Sequence, residues 1–136
     1  MNWHNWDNMA LKESDLQRAF VSWAKTKIGD YPELLWLHAV PNGGFRDGKE
    51  AVGLQSQGVK AGILDMSLDV ARGGFHGWKA ELKIPGGKCR QPSKEQAEYI
   101  SFCHEQGYCT IVTNCFDTLK AHILDYLEGR LIRVDA

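Results

Sequence analysis

The sequence predicts a mixed α/β fold in which helices flank a central sheet. Apolar and polar residues alternate strictly in two segments, residues 64–71 and 77–84, and this alternation is typical of strands with one buried face. A helical pattern at 93–106 separates the second segment from a short apolar segment at 108–113, so these two strands can pair in parallel through a right-handed crossover. With 43% hydrophobic residues, we expect one domain spanning 1–136 with a single core.

The first half of the chain predicts a long helix, a strand and a short helix. Residues 11–28 place apolar side chains such as Leu16 and Phe20 on one helical face. Residues 34–40 are mostly apolar and predict a first strand, which the turn-forming sequence PNGG then closes. Residues 49–57 predict a short helix that a glycine ends.

The second half predicts a hairpin followed by a helix, a strand and a last helix. The sequence RGG at 72–74 is typical of a tight turn between the two alternating strands. Asn114 is placed to cap the last helix, which we expect to reach Glu128, with Gly129 just beyond its end. The predicted order is therefore α-β-(α)-β-β-α-β-α.

The composition excludes some classes of protein. No apolar run approaches the ~20 residues of a membrane span, and the N-terminus lacks the pattern of a secretory signal, so we expect a cytoplasmic protein without membrane contacts. The four cysteines form no C-x-x-C pair and are expected to be reduced thiols. A net charge of −1 argues against holding nucleic acid by bulk charge alone.

Charge is nevertheless concentrated locally. Between Lys79 and Lys94 the chain carries five basic residues and one acid, Glu81. The run includes Lys88, which we assign to nucleic-acid binding, although a solvated loop is the commoner meaning of such a run.

Two carboxylates and a lysine form the candidate site. If the two alternating strands pair as neighbours, Asp65 and Glu81 project toward the same end of the sheet. Converging carboxylates suit a hard divalent cation such as Mg²⁺. Lys83 lies on the same face as Glu81 and could orient water or balance the charge of a phosphate. The alternative is a salt-bridge ladder on a solvated sheet face.

Glu13 has two interpretations. It falls within the angular range of the apolar stripe of the first helix, which would point it toward the core. Alternatively, Ser14 and Gln17 form a capping box, which would leave Glu13 just outside the helix. The pattern alone favours neither.

The chain resembles the VRR-NUC (virus-type replication-repair nuclease) branch of the PD-(D/E)XK nuclease superfamily. Five motifs stand in the order of that family between residues 13 and 127: Glu13, PNGG at 41–44, GVKAGILD at 58–65, ELK at 81–83 and SKEQ at 93–96. The family often has proline before its aspartate, where this chain has Leu64. Many active members of the superfamily lack that proline, so the departure does not threaten the chemistry.

The resemblance implies a restriction-endonuclease-like α-β-β-β-α-β core with a central mixed sheet flanked by helices. It implies that Asp65, Glu81 and the Leu82 carbonyl bind Mg²⁺ or Mn²⁺. It makes Lys83 the catalytic lysine and Glu13 an additional acid. The family also places a glutamine near the active site, at Gln96, which has a plain structural role as the last member of a capping box with Ser93.

The loop after the first predicted strand offers two further candidates for nucleic-acid binding. Asn42 and Arg46 lie in or just after glycine-rich sequence, where an amide and a guanidinium could meet phosphate. A turn asparagine and a solvent-exposed arginine are the simpler interpretation.

The implied function is that of a Mg²⁺- or Mn²⁺-dependent DNA endonuclease. The likeness to standalone VRR-NUC domains favours branched DNA, such as a four-way (Holliday) junction, as the substrate. One small domain carries one site, so coordinated cleavage of two strands predicts a homodimer. The alternatives are a nucleic-acid-binding module that keeps the fold without turnover, and a nuclease that cuts RNA or is restriction-type on duplex DNA.

Overall fold

The computed structural model describes residues 11–41 and 48–134. They form four helices and four strands, with one 3-10 helix, Pro32–Trp36, before the first strand. In chain order the elements are α1 (Glu13–Thr26), β1 (His38–Ala39), α2 (Gly48–Ser56), β2 (Met66–Leu68), β3 (Gly77–Leu82), α3 (Lys94–Glu105), β4 (Tyr108–Thr113) and α4 (Phe116–Leu127).

The four strands form one mixed sheet in the order β1-β2-β3-β4. The pairs β1–β2 and β2–β3 are antiparallel, and β3–β4 is parallel, as the helix between them predicted. Met66 lies opposite Ala80, and Leu68 lies opposite Trp78. The hairpin prediction is therefore confirmed, and so is the predicted mixed sheet with flanking helices.

The two faces of the sheet differ in chemistry. On the apolar face, Trp78 is fully buried, lies 6.1 Å from Phe20 of α1 between ring centroids, and donates its indole N–H to His122 of α4 at 3.0 Å. On the opposite face α3 contacts polar side chains of the sheet: its His104 lies 2.7 Å from the Thr110 hydroxyl. The predicted alternation of β2 and β3 thus separates a hydrophobic core from a polar layer.

The first predicted strand is largely wrong. Residues 32–36 form a 3-10 helix, and only His38–Ala39 pair with β2. Pro32 sits in the first turn, where its fixed φ favours a helical start and its missing N–H is not needed. Leu34 is buried while Leu35 and Trp36 are exposed, so the apolar run does not form a strand with one buried face. Two of the other three predicted strands also end early, β2 at Leu68 and β3 at Leu82, whereas β4 has the predicted bounds.

The capping predictions have mixed outcomes. The Ser93 box is confirmed, because the Ser93 hydroxyl accepts the Gln96 N–H at 3.1 Å. Asn114 does not cap the last helix, since α4 begins one residue later than a cap at Asn114 requires, with Cys115 at the N-cap position. The Asn114 side chain instead bonds to the loop after β3.

The end of the chain packs on the turn between β2 and β3. Arg133 donates its N–H to the Gly73 carbonyl at 2.8 Å, and a Cβ on Gly73 would lie 2.0 Å from the Leu131 carbonyl oxygen. Only glycine fits at this contact, where φ is also +59°.

All four cysteines are free thiols. Within residues 11–41 and 48–134, no helix combines the length and apolarity needed to cross a bilayer.

Candidate active site

The pairing of β2 with β3 brings the two predicted metal ligands together. The β2–β3 ladder ends where Met66 lies opposite Ala80, and continuing its register by one residue sets Asp65 opposite Glu81. Opposed residues of an antiparallel pair project to the same face with their Cβ atoms about 5 Å apart. Asp65 is fixed further by its Oδ2, which accepts the N–H of Leu82 at 2.8 Å. The sheet itself therefore builds the carboxylate pair.

Gln96 of α3 joins the lysine to the second carboxylate. Its Oε1 accepts a hydrogen bond from Lys83 Nζ at 2.8 Å, and its Nε2 donates to Glu81 Oε2 at 2.7 Å. Its Oε1 also accepts the N–H of Ser93 at 2.9 Å, so the capping box and the site share one amide. Both roles predicted for Gln96, at the cap and beside the site, coexist in one side chain.

Burial separates this site from a solvated ladder. Glu81 is 2% exposed and Lys83 is 8% exposed, with 3.5 Å between Lys83 Nζ and Glu81 Oε2. Charged groups this deeply buried need partners, because desolvation disfavours their ionised forms. Glu81 Oε1 is buried and has no hydrogen-bond partner within the described part of the chain. The site thus holds an acceptor oxygen that its surroundings leave unsatisfied.

The surroundings of the pair disfavour the ionised form of Glu81. Burial, followed by repulsion from Asp65, raises the pKa of Glu81 to about 7, although Lys83 opposes the shift. Two facing carboxylates cannot both ionise cheaply in such an environment. A cation between the two carboxylates would reduce their repulsion and would bind the Glu81 oxygen that has no hydrogen-bond partner.

The segment before Asp65 packs tightly against α3. A Cβ on Gly62 would lie 2.8 Å from Glu95 Cβ, and Gly62 has a φ of +88°. Only glycine allows this approach without a shift of the loop or the helix. The loop that carries Asp65 and the helix that carries Gln96 are thus seated on each other.

Glu13 is the first residue of α1. The Ser14–Gln17 capping box is wrong, because the cap is Lys12, whose N–H donates to the Asp15 carboxylate at 2.7 Å. Glu13 is exposed, so it does not point into the core as the apolar stripe suggested.

The charged groups of the site nevertheless shift the pKa of Glu13. Desolvation and then the charge of Asp65 raise the pKa of Glu13, while Lys83 and Arg90 lower it. It therefore lies at the rim of the carboxylate pair.

The oxygen donors fit a cation that needs few protein ligands. Among residues 11–41 and 48–134, no three His, Cys, Asp or Glu side chains converge to hold a metal. Mg²⁺ is commonly held by one or two carboxylates and keeps several waters, and Asp65 with Glu81 meets that requirement. Leu82 is tied to the site through its N–H, and ligation by its carbonyl stays a prediction.

Of the three residues predicted to contact nucleic acid, the structure describes one. Lys88 is exposed on the loop between β3 and α3. Asn42 and Arg46 lie outside the described residues.

Sequence analysis missed Arg90, an exposed residue whose guanidinium acts on Glu13. The basic run between residues 79 and 94 was its only signal, and that run does not single it out.

Comparison with solved structures finds a similar fold. A solved structure described as a VRR_NUC domain protein superposes with a TM-score of 0.70 and 26% identity, covering 88% of this chain and 91% of that chain. No protein-family model matches this chain. The search of curated proteins finds no significant match. The structural likeness confirms the resemblance drawn from the motifs and supports a VRR-NUC domain, with its four-stranded mixed sheet flanked by helices.

Proposed function

We propose that this VRR-NUC-like domain is a nuclease that hydrolyses phosphodiester bonds of DNA with Mg²⁺ or Mn²⁺. One observation carries the proposal: a buried carboxylate, Glu81, faces Asp65, has an unsatisfied oxygen, and is linked to Lys83 through Gln96. A buried polar atom without a partner is costly, and a cation bound between the two carboxylates would give this oxygen a partner.

The carboxylates of Asp65 and Glu81, with the Leu82 carbonyl, would hold the cation. When bound, such an ion supplies charge neutralisation at the phosphate and acidifies water. The remaining chemistry falls to the side chains. Gln96 fixes the orientation of both Glu81 and Lys83, because its amide bonds to both at under 3 Å.

Lys83 provides positive charge at a fixed point beside the carboxylates. Its ammonium donates to Gln96 at 2.8 Å and keeps further N–H groups for other partners. In a buried site a preorganised charge stabilises developing negative charge more strongly than it would in water. We assign Lys83 to stabilising the phosphate as charge builds on it and to orienting the attacking water.

The rim of the site has the groups to bind a polyanion. Exposed Lys88 and Arg90 lie on the loop between β3 and α3, and the charge of Arg90 lowers the pKa of Glu13. We propose branched DNA, such as a four-way junction, as the preferred substrate and a homodimer as the working unit. A single small domain with one site needs a second copy to cut two strands in a coordinated way.

A second function is a nucleic-acid-binding module without turnover. One observation favours it: no third acidic or histidine ligand joins Asp65 and Glu81 among the described residues. Such a module would bind DNA equally well with Glu81 removed.

The test is a cleavage panel. Labelled four-way junction, duplex, single-stranded DNA and RNA are each incubated with the protein in Mg²⁺, Mn²⁺ or EDTA. The proposal predicts metal-dependent cleavage, fastest on the junction. No cleavage of any substrate in Mn²⁺, together with metal-independent binding that persists in Glu81→Ala, would establish the binding module instead.

A further inference from the structure

Asn114 connects the last strand of the sheet to the loop that follows β3. Its side-chain Nδ2 donates to two backbone carbonyls of that loop, Ile84 O and Gly87 O, each at 3.2 Å. Both partners are carbonyl oxygens, which only accept hydrogen bonds. The NH₂ group of the Asn114 amide has two N–H donors and can therefore bond to both. Asn114 lies 30 residues after Ile84 and 27 after Gly87, and its amide holds both ends of the turn close to the start of α4.

The turn itself is shaped by two glycines. Gly86 and Gly87 have φ values of +86° and +66°, a conformation that residues with a side chain rarely adopt. A Cβ at either position would meet no atom within 4 Å, so backbone conformation rather than space requires glycine there. Pro85 before them is buried. The turn is therefore tight and anchored, which fixes the direction of the chain that leaves it.

The residues that leave this turn are cationic and exposed. Lys88 and Arg90 project from it, and neither side chain forms a hydrogen bond or ion pair with another described residue. The loop that carries them runs from Lys83 to Ser93, and both of these ends bond to Gln96, which also bonds to Glu81. The loop thus presents two available cations beside the site.

We propose that Asn114 is a positioning residue for DNA: it holds the turn at 84–87 so that Lys88 and Arg90 contact phosphates next to the carboxylate pair. This inference rests on the proposed function, because it assumes that the substrate is DNA. Asn114 itself touches no phosphate and takes no part in the chemical step.

The geometry determines which kinetic quantity responds. Losing the amide frees the turn, so Lys88 and Arg90 must be ordered when DNA binds, and affinity falls. Asp65, Glu81 and Lys83 are held by β2, β3 and α3, so the chemical step at saturation is spared. Phosphate contacts also set the salt dependence of binding, which a purely structural role would leave unchanged.

The experiment measures binding of a labelled four-way junction by fluorescence anisotropy in EDTA, at several salt concentrations. For Asn114→Ala we expect Kd to rise about 5- to 10-fold and the slope of log Kd against log salt to fall by about one. The single-turnover cleavage rate at saturating protein should stay within about 2-fold of the wild type. Arg130→Ala is the matched control, because it removes an exposed cation that pairs with Asp125 and Glu128 instead.

A double-mutant cycle separates positioning from general stability. In a Lys88→Ala/Arg90→Ala background, Asn114→Ala should raise Kd by less than about 2-fold, since the groups it positions are gone. These two exposed substitutions also test the phosphate contacts by themselves if Asn114→Ala does not fold. An equal loss in both backgrounds, an unchanged Kd for Asn114→Ala, or normal binding without Lys88 and Arg90 would overturn the inference. A wild-type protein that binds no DNA would instead contradict the proposed function on which it rests.

Discussion

Strand β3 carries Lys79, and Lys83 is the first residue after its end. The alternation of the segment places both lysines on one face, but their surroundings differ sharply. Lys79, two residues before Glu81, is half-exposed, donates to the Ser67 hydroxyl at 3.3 Å, and lies 5.1 Å from the centroid of the Tyr108 ring. Lys83, two residues after Glu81, is 8% exposed and bonds to Gln96.

The difference comes from what covers each half of the strand. Near Lys79 the neighbouring strand offers the hydroxyl of Ser67, which itself donates to the exposed Asp69 at 3.5 Å. Near Lys83 the first turn of α3 closes over the carboxylate pair and supplies an amide. The same residue type on the same face is thus a half-exposed cation beside a hydroxyl and an aromatic ring at one end and a buried member of a charged site at the other.

The largest effect should follow from breaking the carboxylate pair. Asp65→Asn or Glu81→Gln removes one anionic ligand with little change in volume, so each should lower the single-turnover cleavage rate by about 10³-fold or more. Junction binding should persist or tighten, because negative charge near the phosphate is reduced. Rates are measured in Mg²⁺ and in Mn²⁺, with circular dichroism to confirm the fold. Wild-type rates in either variant would contradict the assignment of Asp65 and Glu81 to the active site.

A smaller loss should follow from removing the amide that joins the site. Gln96→Ala deletes the bonds to Lys83 and Glu81 while leaving both charges, so we expect the cleavage rate to fall about 10- to 100-fold through lost orientation. The matched control is Gln91→Ala, which truncates an exposed glutamine on the loop before α3. Equal, small effects of the two substitutions would show that Gln96 serves only as a helix cap.

The smallest of these effects concerns stability against pH. The pKa of Glu81 is raised from 4.5 to about 7, so the metal-free folded state binds this proton more tightly than the unfolded chain does. Its contribution to stability is therefore present below pH 4.5 and is lost as the pH rises through about 7.

Urea unfolding in EDTA across this range should show that decline in the wild type relative to Glu81→Gln, which cannot titrate at this position. Added Mg²⁺ should recover stability at the high-pH end, since a ligand of the folded state stabilises it by mass action. Parallel pH profiles for the two proteins would contradict the raised pKa of Glu81 in the folded state.

The sequence predicted the part of the site that depends on local order. Alternation in residues 64–71 and 77–84 gave the faces of β2 and β3, and their hairpin connection gave the pairing that sets Asp65 opposite Glu81. The Ser93 capping box placed the start of α3 correctly. These features are set by residues close together in the chain, where periodicity and capping act directly.

Other features depend on contacts that periodicity does not encode. Asn114 has the sequence position of a helix cap, but two carbonyls about thirty residues earlier satisfy its amide instead. Residues 34–40 have an apolar run that suits a buried strand, whereas Pro32 starts a 3-10 helix there. The burial of Lys83 rather than Lys79 likewise follows from where α3 packs on the sheet. Alternation cannot predict this difference, because it assigns both lysines to the same face.

The contrast between Lys83 and Lys79 gives the most direct test of the account. Lys83→Ala and Lys79→Ala are compared in single-turnover cleavage of a four-way junction at saturating protein, with metal and DNA binding measured in parallel. Lys83→Ala should lower the rate by about 10²-fold or more, because a preorganised charge beside the phosphate is lost, while metal binding persists. Lys79→Ala should leave the rate near that of the wild type and cause only a modest, salt-dependent loss of DNA affinity. A larger loss of rate in Lys79→Ala than in Lys83→Ala would contradict the assignment of the active site to the α3-covered end of β3.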